Sequence, residues 1–382
     1  MKIIKCIMII AMLLGCSSNG VANDSIISDT GNNDVQNNDN HVNPDINQET
    51  SIPSNDEDET DEIEIEESDD ELANVFKFNE VEMPVELVSI PDELKVPIEE
   101  SGTLEYFYYD TKYYDKDNSD MRKYALIYLP YNYDPSKSYD IVYLMHGRDD
   151  SPEHFFGTIE NPSATKYMLD HLIADGMRPT IVVACDYYPN NKQVFNGDGD
   201  ASMTKNFGQE FLNDLMPQVE STYSTYAKGT TLEDFEESRM HRVFAGFSMG
   251  AVTTWYRMAD AMPYCAYYLA MSGTLYWGTE VHTEKKDASS FISNFLDDSI
   301  EGLGYTDKDF VMVATVGTKD FALRTMNDNI EHLKKSRLFN FTDSSRFINS
   351  YYYIDENQPH DYNAAGDYIY NILPLFMEMV GE

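Results

Sequence analysis

Gly246-Phe247-Ser248-Met249-Gly250 is the segment whose residue types and spacing most directly permit covalent chemistry. It fits Gly-x-Ser-x-Gly and stands between an apolar run, Arg242-Val243-Phe244-Ala245-Gly246, and a stretch with helical spacing from Ala251 to Ala261. A serine on a sharp strand-to-helix turn presents its hydroxyl outward, and side chains larger than glycine at positions 246 and 250 would collide with neighbouring backbone. The turn also aims the hydroxyl at a helix N-terminus, whose unpaired N–H groups favour developing negative charge. Ser248 is therefore expected to be a nucleophile, the alternative being a purely structural turn.

A serine hydroxyl attacks poorly unless a base takes its proton and a carboxylate orients that base, and behind such a turn they follow in the order serine, acid, histidine. The run Phe310 to Val316 leads into Gly317-Thr318-Lys319-Asp320, which puts Asp320 just past the end of a late strand. Asp307, Asp309 and Asp328 lie before that strand or on the next helix, so Asp320 is expected to be the acid, the alternative being a helix cap. Two histidines follow: His332 falls inside a helical pattern, whereas His360 lies in the loop Asp355 to Asp361, between the last strand and the last helix. His360 is thus expected to be the base. Donors for an oxyanion are expected from the backbone N–H of Met249 and from the turn His146-Gly147-Arg148, there assigned to Arg148. His146 precedes the acid in the chain and reads as structural.

These residues need a scaffold, and the pattern around them supplies one. Short apolar runs at 124–130, 140–145, 180–185, 242–246, 266–271, 310–316 and 350–354 alternate with helical spacing at 164–175, 207–223, 251–261, 322–336 and 364–379. Strands alternating with helices predict an α/β protein whose mostly parallel central sheet carries helices on both faces. Cys185 and Cys265 sit in apolar contexts and read as buried small hydrophobes that pair only if the fold joins them. No Cys/His spacing suits zinc, and no cofactor is expected.

The first residues read differently. Lys2 and Lys5 precede the apolar run Ile7 to Leu14, too short to span a bilayer, and Gly15-Cys16 follows. Leu13-Leu14-Gly15-Cys16 resembles a bacterial lipobox, so residues 1–15 are expected to be a signal peptide and Cys16 the site of lipidation. Residues 16–75 form an acidic spacer with no internal period. Residues 76–382 form one catalytic domain. The formal net charge is −40, and 18 of the 67 acids lie between Asp24 and Glu71. Without them, and without Lys2 and Lys5, 49 acids still face 25 bases. Such a surface repels phosphate backbones, which argues against nucleic acid as a partner and leaves the lipid as the only membrane contact.

From about Glu100 onward a resemblance emerges. Ile127-Tyr128-Leu129-Pro130, Tyr143-Leu144-Met145-His146-Gly147, the helix Phe207 to Tyr223, Ala245 to Gly250, Gly317-Thr318-Lys319-Asp320 and Pro359-His360-Asp361 occur in order. The chain resembles the feruloyl and acetylxylan esterases that accompany bacterial xylanases, in the esterase-D-like branch of the α/β-hydrolases. The resemblance implies the α/β-hydrolase fold, Ser248, Asp320 and His360 as a triad, and Met249 and Arg148 at the oxyanion hole. It further implies release of ferulate or acetate from xylan or a related plant polysaccharide or oligosaccharide, and the lipobox-like start adds the expectation that this happens outside the cell on a bacterial membrane. Acyl transfer to a sugar, or silent carbohydrate binding, are the alternatives. Tyr187 and Trp277 offer aromatic faces to a phenolic acyl group or sugar ring and are the expected substrate contacts, although tyrosines also serve as core residues.

Overall fold

A computed structural model describes residues 81–192, 199–275, 288–342 and 347–380. The expected signal peptide, spacer, Cys16 and Trp277 fall outside the described residues.

Among the described residues eight strands form one sheet: β1 (Thr103–Lys112), β2 (Asp120–Leu129), β3 (Asp140–Met145), β4 (Thr180–Cys185), β5 (Arg242–Phe247), β6 (Tyr267–Met271), β7 (Val311–Gly317) and β8 (Ser350–Asp355). Their order across the sheet is β1-β2-β4-β3-β5-β6-β7-β8. β1 and β2 are antiparallel, β2 meets β4 antiparallel, and from β4 to β8 every pairing is parallel. Every residue of β3, β4, β5, β6 and β7 is buried. That explains their continuous apolar runs, since a parallel strand covered on both faces has no solvent side to leave polar.

Alternation along each strand sends side chains to two cores. Ile141, Tyr143 and Met145 of β3 join a cluster with Phe211, Phe244 and Trp255, while Val142 and Leu144 join another with Tyr128, Tyr267, Tyr368 and Phe376. The first core carries a buried ion pair in which Arg242 donates to both oxygens of Glu220, at 2.7 and 2.9 Å. The same guanidinium donates to the carbonyls of Phe235 and Tyr264 and to Ser238 Oγ, so its buried charge is well solvated by the protein.

The expected helix at 207–223 begins earlier and is not uniform: Gly199–Glu210 runs into a π-helical turn, Phe211–Leu215, and then into Met216–Thr222. Pro217 lacks the N–H that a regular turn would require there, and the widened turn accommodates it. The edge strand β1 and the helix Ala288–Gly302 were not anticipated, nor were the short helices Glu153–Phe156 and Leu232–Glu237. Cys185 and Cys265 are both buried free thiols. Burial pushes the Cys265 thiol up to about 12 and raises Cys185 as well, which leaves both as inert packing residues.

The chain leaves β3 toward β4 on one side and returns to β5 on the other, so connections diverge between β3 and β5. In open parallel sheets such a point opens a crevice at the strands' carboxyl ends. Gly147 follows β3, Ser248 follows β5, Asp320 follows β7 and His360 follows β8, which places all four at that edge.

Candidate active site

Ser248 sits between β5 and the helix Met249–Asp260 with φ 57° and ψ −116°. Few non-glycine residues tolerate that backbone, and its strain is held by the surrounding packing. The packing is visible at both glycines of the motif. A Cβ on Gly246 would lie 2.2 Å from the carbonyl oxygen of Gly250, and one on Gly250 would lie 2.0 Å from that of Met145. The Ser248 N–H donates to the Met271 carbonyl at 2.8 Å, which ties the turn to β6.

The structure brings Ser248, His360 and Asp320 together. His360 Nε2 stands 2.9 Å from Ser248 Oγ, and Nδ1 stands 2.8 and 2.9 Å from the two oxygens of Asp320. A carboxylate only accepts, so Nδ1 carries the hydrogen and Nε2 presents its lone pair to the serine hydroxyl. Asp320 is 5% exposed, and it also accepts the Ala322 N–H at 2.7 Å, which fixes the carboxylate in the turn that leads into the next helix.

Two loops must meet for this alignment, and Gly317 lets them. A Cβ there would fall 1.9 Å from the Gln358 carbonyl oxygen. The contact is then zipped by Thr318 N–H to the Asp355 carbonyl, by Lys319 N–H to the Gln358 carbonyl, and by Asn357 N–H to Thr318 Oγ1. Immediately beyond His360, Asp361 caps the last helix, Tyr362–Met379, by accepting the N–H groups of Asn363 and Ala364. His332 belongs instead to the helix Leu323–Leu333.

Met249 opens its helix, so its N–H has no intrahelical acceptor and faces the crevice end of the dipole. The opposing loop is pinned on every side. Gly147 N–H donates to Tyr362 Oη at 2.9 Å and Asp149 N–H to Tyr188 Oη at 2.9 Å. Arg148 lies between them and lines the same cavity as Met249. The Gly147 carbonyl accepts from Tyr187 Oη and stands 2.8 Å from His146 Nδ1. His146 is fully buried, with Nε2 3.1 Å from Asp186. Tyr362 in turn donates to Asp150 at 2.7 Å, and burial together with that carboxylate raises the phenol well above its usual range, which keeps the donor protonated.

These groups open onto a cavity of about 390 Å³ lined by Ser248, Met249, Arg148, Val252, Phe321 and His360, among others. Tyr187 does not belong to it, contrary to expectation. It is 4% exposed and its hydroxyl is spent on the Gly147 carbonyl, so it supports the loop from beneath and presents no face to a substrate. Trp277 lies outside the described residues. Sequence reasoning missed Tyr362, Asp150 and Phe321. Tyr362 and Phe321 stand within two positions of His360 and Asp320, but nothing in their types signals that one pins a loop 215 residues away and that the other faces solvent.

A serine activated by a carboxylate-oriented histidine, on the crevice edge of a mostly parallel sheet, defines a serine carboxylic ester hydrolase of the α/β-hydrolase fold. A model of the Esterase family matches residues 119–362, and the chain belongs to that family. It is 36% identical over 251 residues to endo-1,4-beta-xylanase Y of Acetivibrio thermocellus, an alignment covering 65% of this chain and 21% of that protein. The chain thus spans about a fifth of that relative's length. Among solved structures it is similar to the feruloyl esterase module from Clostridium thermocellum, determined as a serine-to-alanine mutant complexed with sinapinate. Identity there is 32% and the TM-score 0.67, with 79% of this chain and 97% of that one covered. A ferulic acid esterase from the anaerobic fungus Anaeromyces mucronatus, 18% identical with a TM-score of 0.54 over 79% of this chain and 100% of that one, shares the fold. The chain is in these respects feruloyl and acetylxylan esterase-like.

Proposed function

We propose that the protein hydrolyses feruloyl or acetyl esters on xylan or its oligosaccharides through an acyl-enzyme on Ser248. The observation that carries the mechanism is the unbroken line Ser248 Oγ to His360 Nε2, and His360 Nδ1 to Asp320, opening onto the cavity. In the first half-reaction Ser248 Oγ bonds to the ester carbonyl carbon while Nε2 takes its proton. The carbonyl oxygen becomes an oxyanion between the N–H groups of Met249 and Arg148. The carbon–oxygen bond to the alcohol then breaks, and the alcohol leaves with the proton from Nε2. In the second, water gives its proton to Nε2 and adds to the acyl carbon. The acid departs, and Ser248 recovers its hydrogen.

The likeness to a feruloyl esterase module supports the choice of acyl group, and a cavity of about 390 Å³ is in the size range that holds an aromatic acid. On methyl ferulate, acetylated xylan and p-nitrophenyl esters of increasing length, turnover is expected to be fastest for short or aromatic acyl groups and slowest for palmitoyl. Faster cleavage of long-chain esters would overturn the cell-wall reading and leave the serine esterase standing.

We further propose that the protein works outside the cell, tethered by lipid on Cys16, a reading supported by Leu13-Leu14-Gly15-Cys16 after an apolar run. Metabolic labelling with a palmitate analogue should mark the parent and spare Cys16→Ser; label retained by the variant would contradict the anchor.

A further inference from the structure

We propose that Phe321 is a binding platform for the alcohol half of the ester, the sugar ring that leaves. This inference rests on the carbohydrate-ester reading above and adds a residue that decides which alcohols the site accepts.

Phe321 is 67% exposed, the most exposed aromatic side chain among the described residues. Its position is not that of a loose loop. Asp320 N–H donates to the Gly317 carbonyl and Leu323 N–H to the Asp320 carbonyl, both at 3.2 Å, and Ala322 N–H is held by the Asp320 carboxylate. The backbone on either side is therefore fixed, and the ring is held out where water wets most of it. A single exposed apolar side chain is ordinary on a protein surface, but this ring lines the cavity of Ser248, where a bound substrate would meet it.

Its neighbour says which half of the substrate would use it. The Phe321 and His360 rings lie 4.1 Å apart between centroids, and Phe247 packs on the imidazole at 4.7 Å. His360 Nε2 is the atom that hands a proton to the departing alcohol, so that oxygen must come within hydrogen-bond reach of it. The alcohol therefore lies beside His360, within reach of the Phe321 ring that packs on the same imidazole. The C–H face of a sugar ring packs well on an aromatic surface, and Asp361 and Thr325 at the same cavity offer polar partners for its hydroxyls.

The test compares kcat/KM of the full chain, Phe321→Ala and Phe321→Tyr on methyl ferulate and on a feruloylated arabinoxylo-oligosaccharide. Phe321→Ala should lose about tenfold more on the oligosaccharide than on the methyl ester, chiefly through KM, and Phe321→Tyr should restore most of the difference. Equal losses on both esters would show that Phe321 acts only by supporting His360, and no loss on either would show an idle surface ring; both results overturn the proposal. If the parent cleaves p-nitrophenyl acetate but neither feruloyl ester, the feruloyl reading fails by itself. The same ratio, measured between acetylated xylo-oligosaccharide and p-nitrophenyl acetate, then decides the role of Phe321.

Discussion

Ser248→Ala should lower kcat by on the order of 10⁶-fold while its circular dichroism and melting temperature stay near those of the parent. The hydroxyl is the only group removed, and among the described residues it bonds to His360, at a position whose backbone is held by Met271 and by the close approaches at Gly246 and Gly250. Binding and oxyanion donors remain, so a small residual rate over water is expected from them. Loss of only a few-fold would mean that another group attacks the ester.

Asp320→Asn should be nearly as damaging, with kcat lower by roughly 10⁴-fold, because an amide in place of the carboxylate reverses the hydrogen-bond logic of the imidazole. The parent carboxylate accepts at 2.8 Å from Nδ1 and keeps the lone pair on Nε2. An asparagine NH₂ facing Nδ1 would favour the other tautomer and point a hydrogen at Ser248. The nucleophile itself survives, so Asp320→Asn should still react slowly with a fluorophosphonate, and steady-state kinetics beside labelling rates separate the two variants. Unchanged turnover would assign the acid elsewhere, with Asp307, Asp309 and Asp328 the next carboxylates to examine.

How much of this was legible follows from how local each feature is. Gly246-x-Ser248-x-Gly250 announced the turn because its sterics involve neighbours in the chain, and the buried parallel strands announced themselves as apolar runs. β1 was missed because it is an edge strand, Thr103–Lys112, in which aromatic and charged residues mix and only three positions are buried. The helix Ala288–Gly302 was missed although Ile292, Leu296 and Ile300 recur every four residues and are all buried, since Ser and Asp between them dilute the pattern. Tyr187 misled for a related reason. A tyrosine after a strand end looks the same whether its ring lines a pocket or lies beneath a loop, and only the fold shows its hydroxyl on Gly147. The zipper between the loops at Gly317 and Gln358, and the contact of Tyr362 with Gly147, are properties of tertiary packing that no window along the chain contains.

The most direct test of the central claim is to locate the reactive residue chemically. A fluorophosphonate incubated with the active full-length protein, followed by proteolysis and peptide mass spectrometry, should place a single adduct on Ser248, abolish ester hydrolysis in proportion to labelling, and leave Ser248→Ala unmodified. An adduct on a different residue, or full activity in protein that Ser248 labelling has saturated, would contradict the assignment.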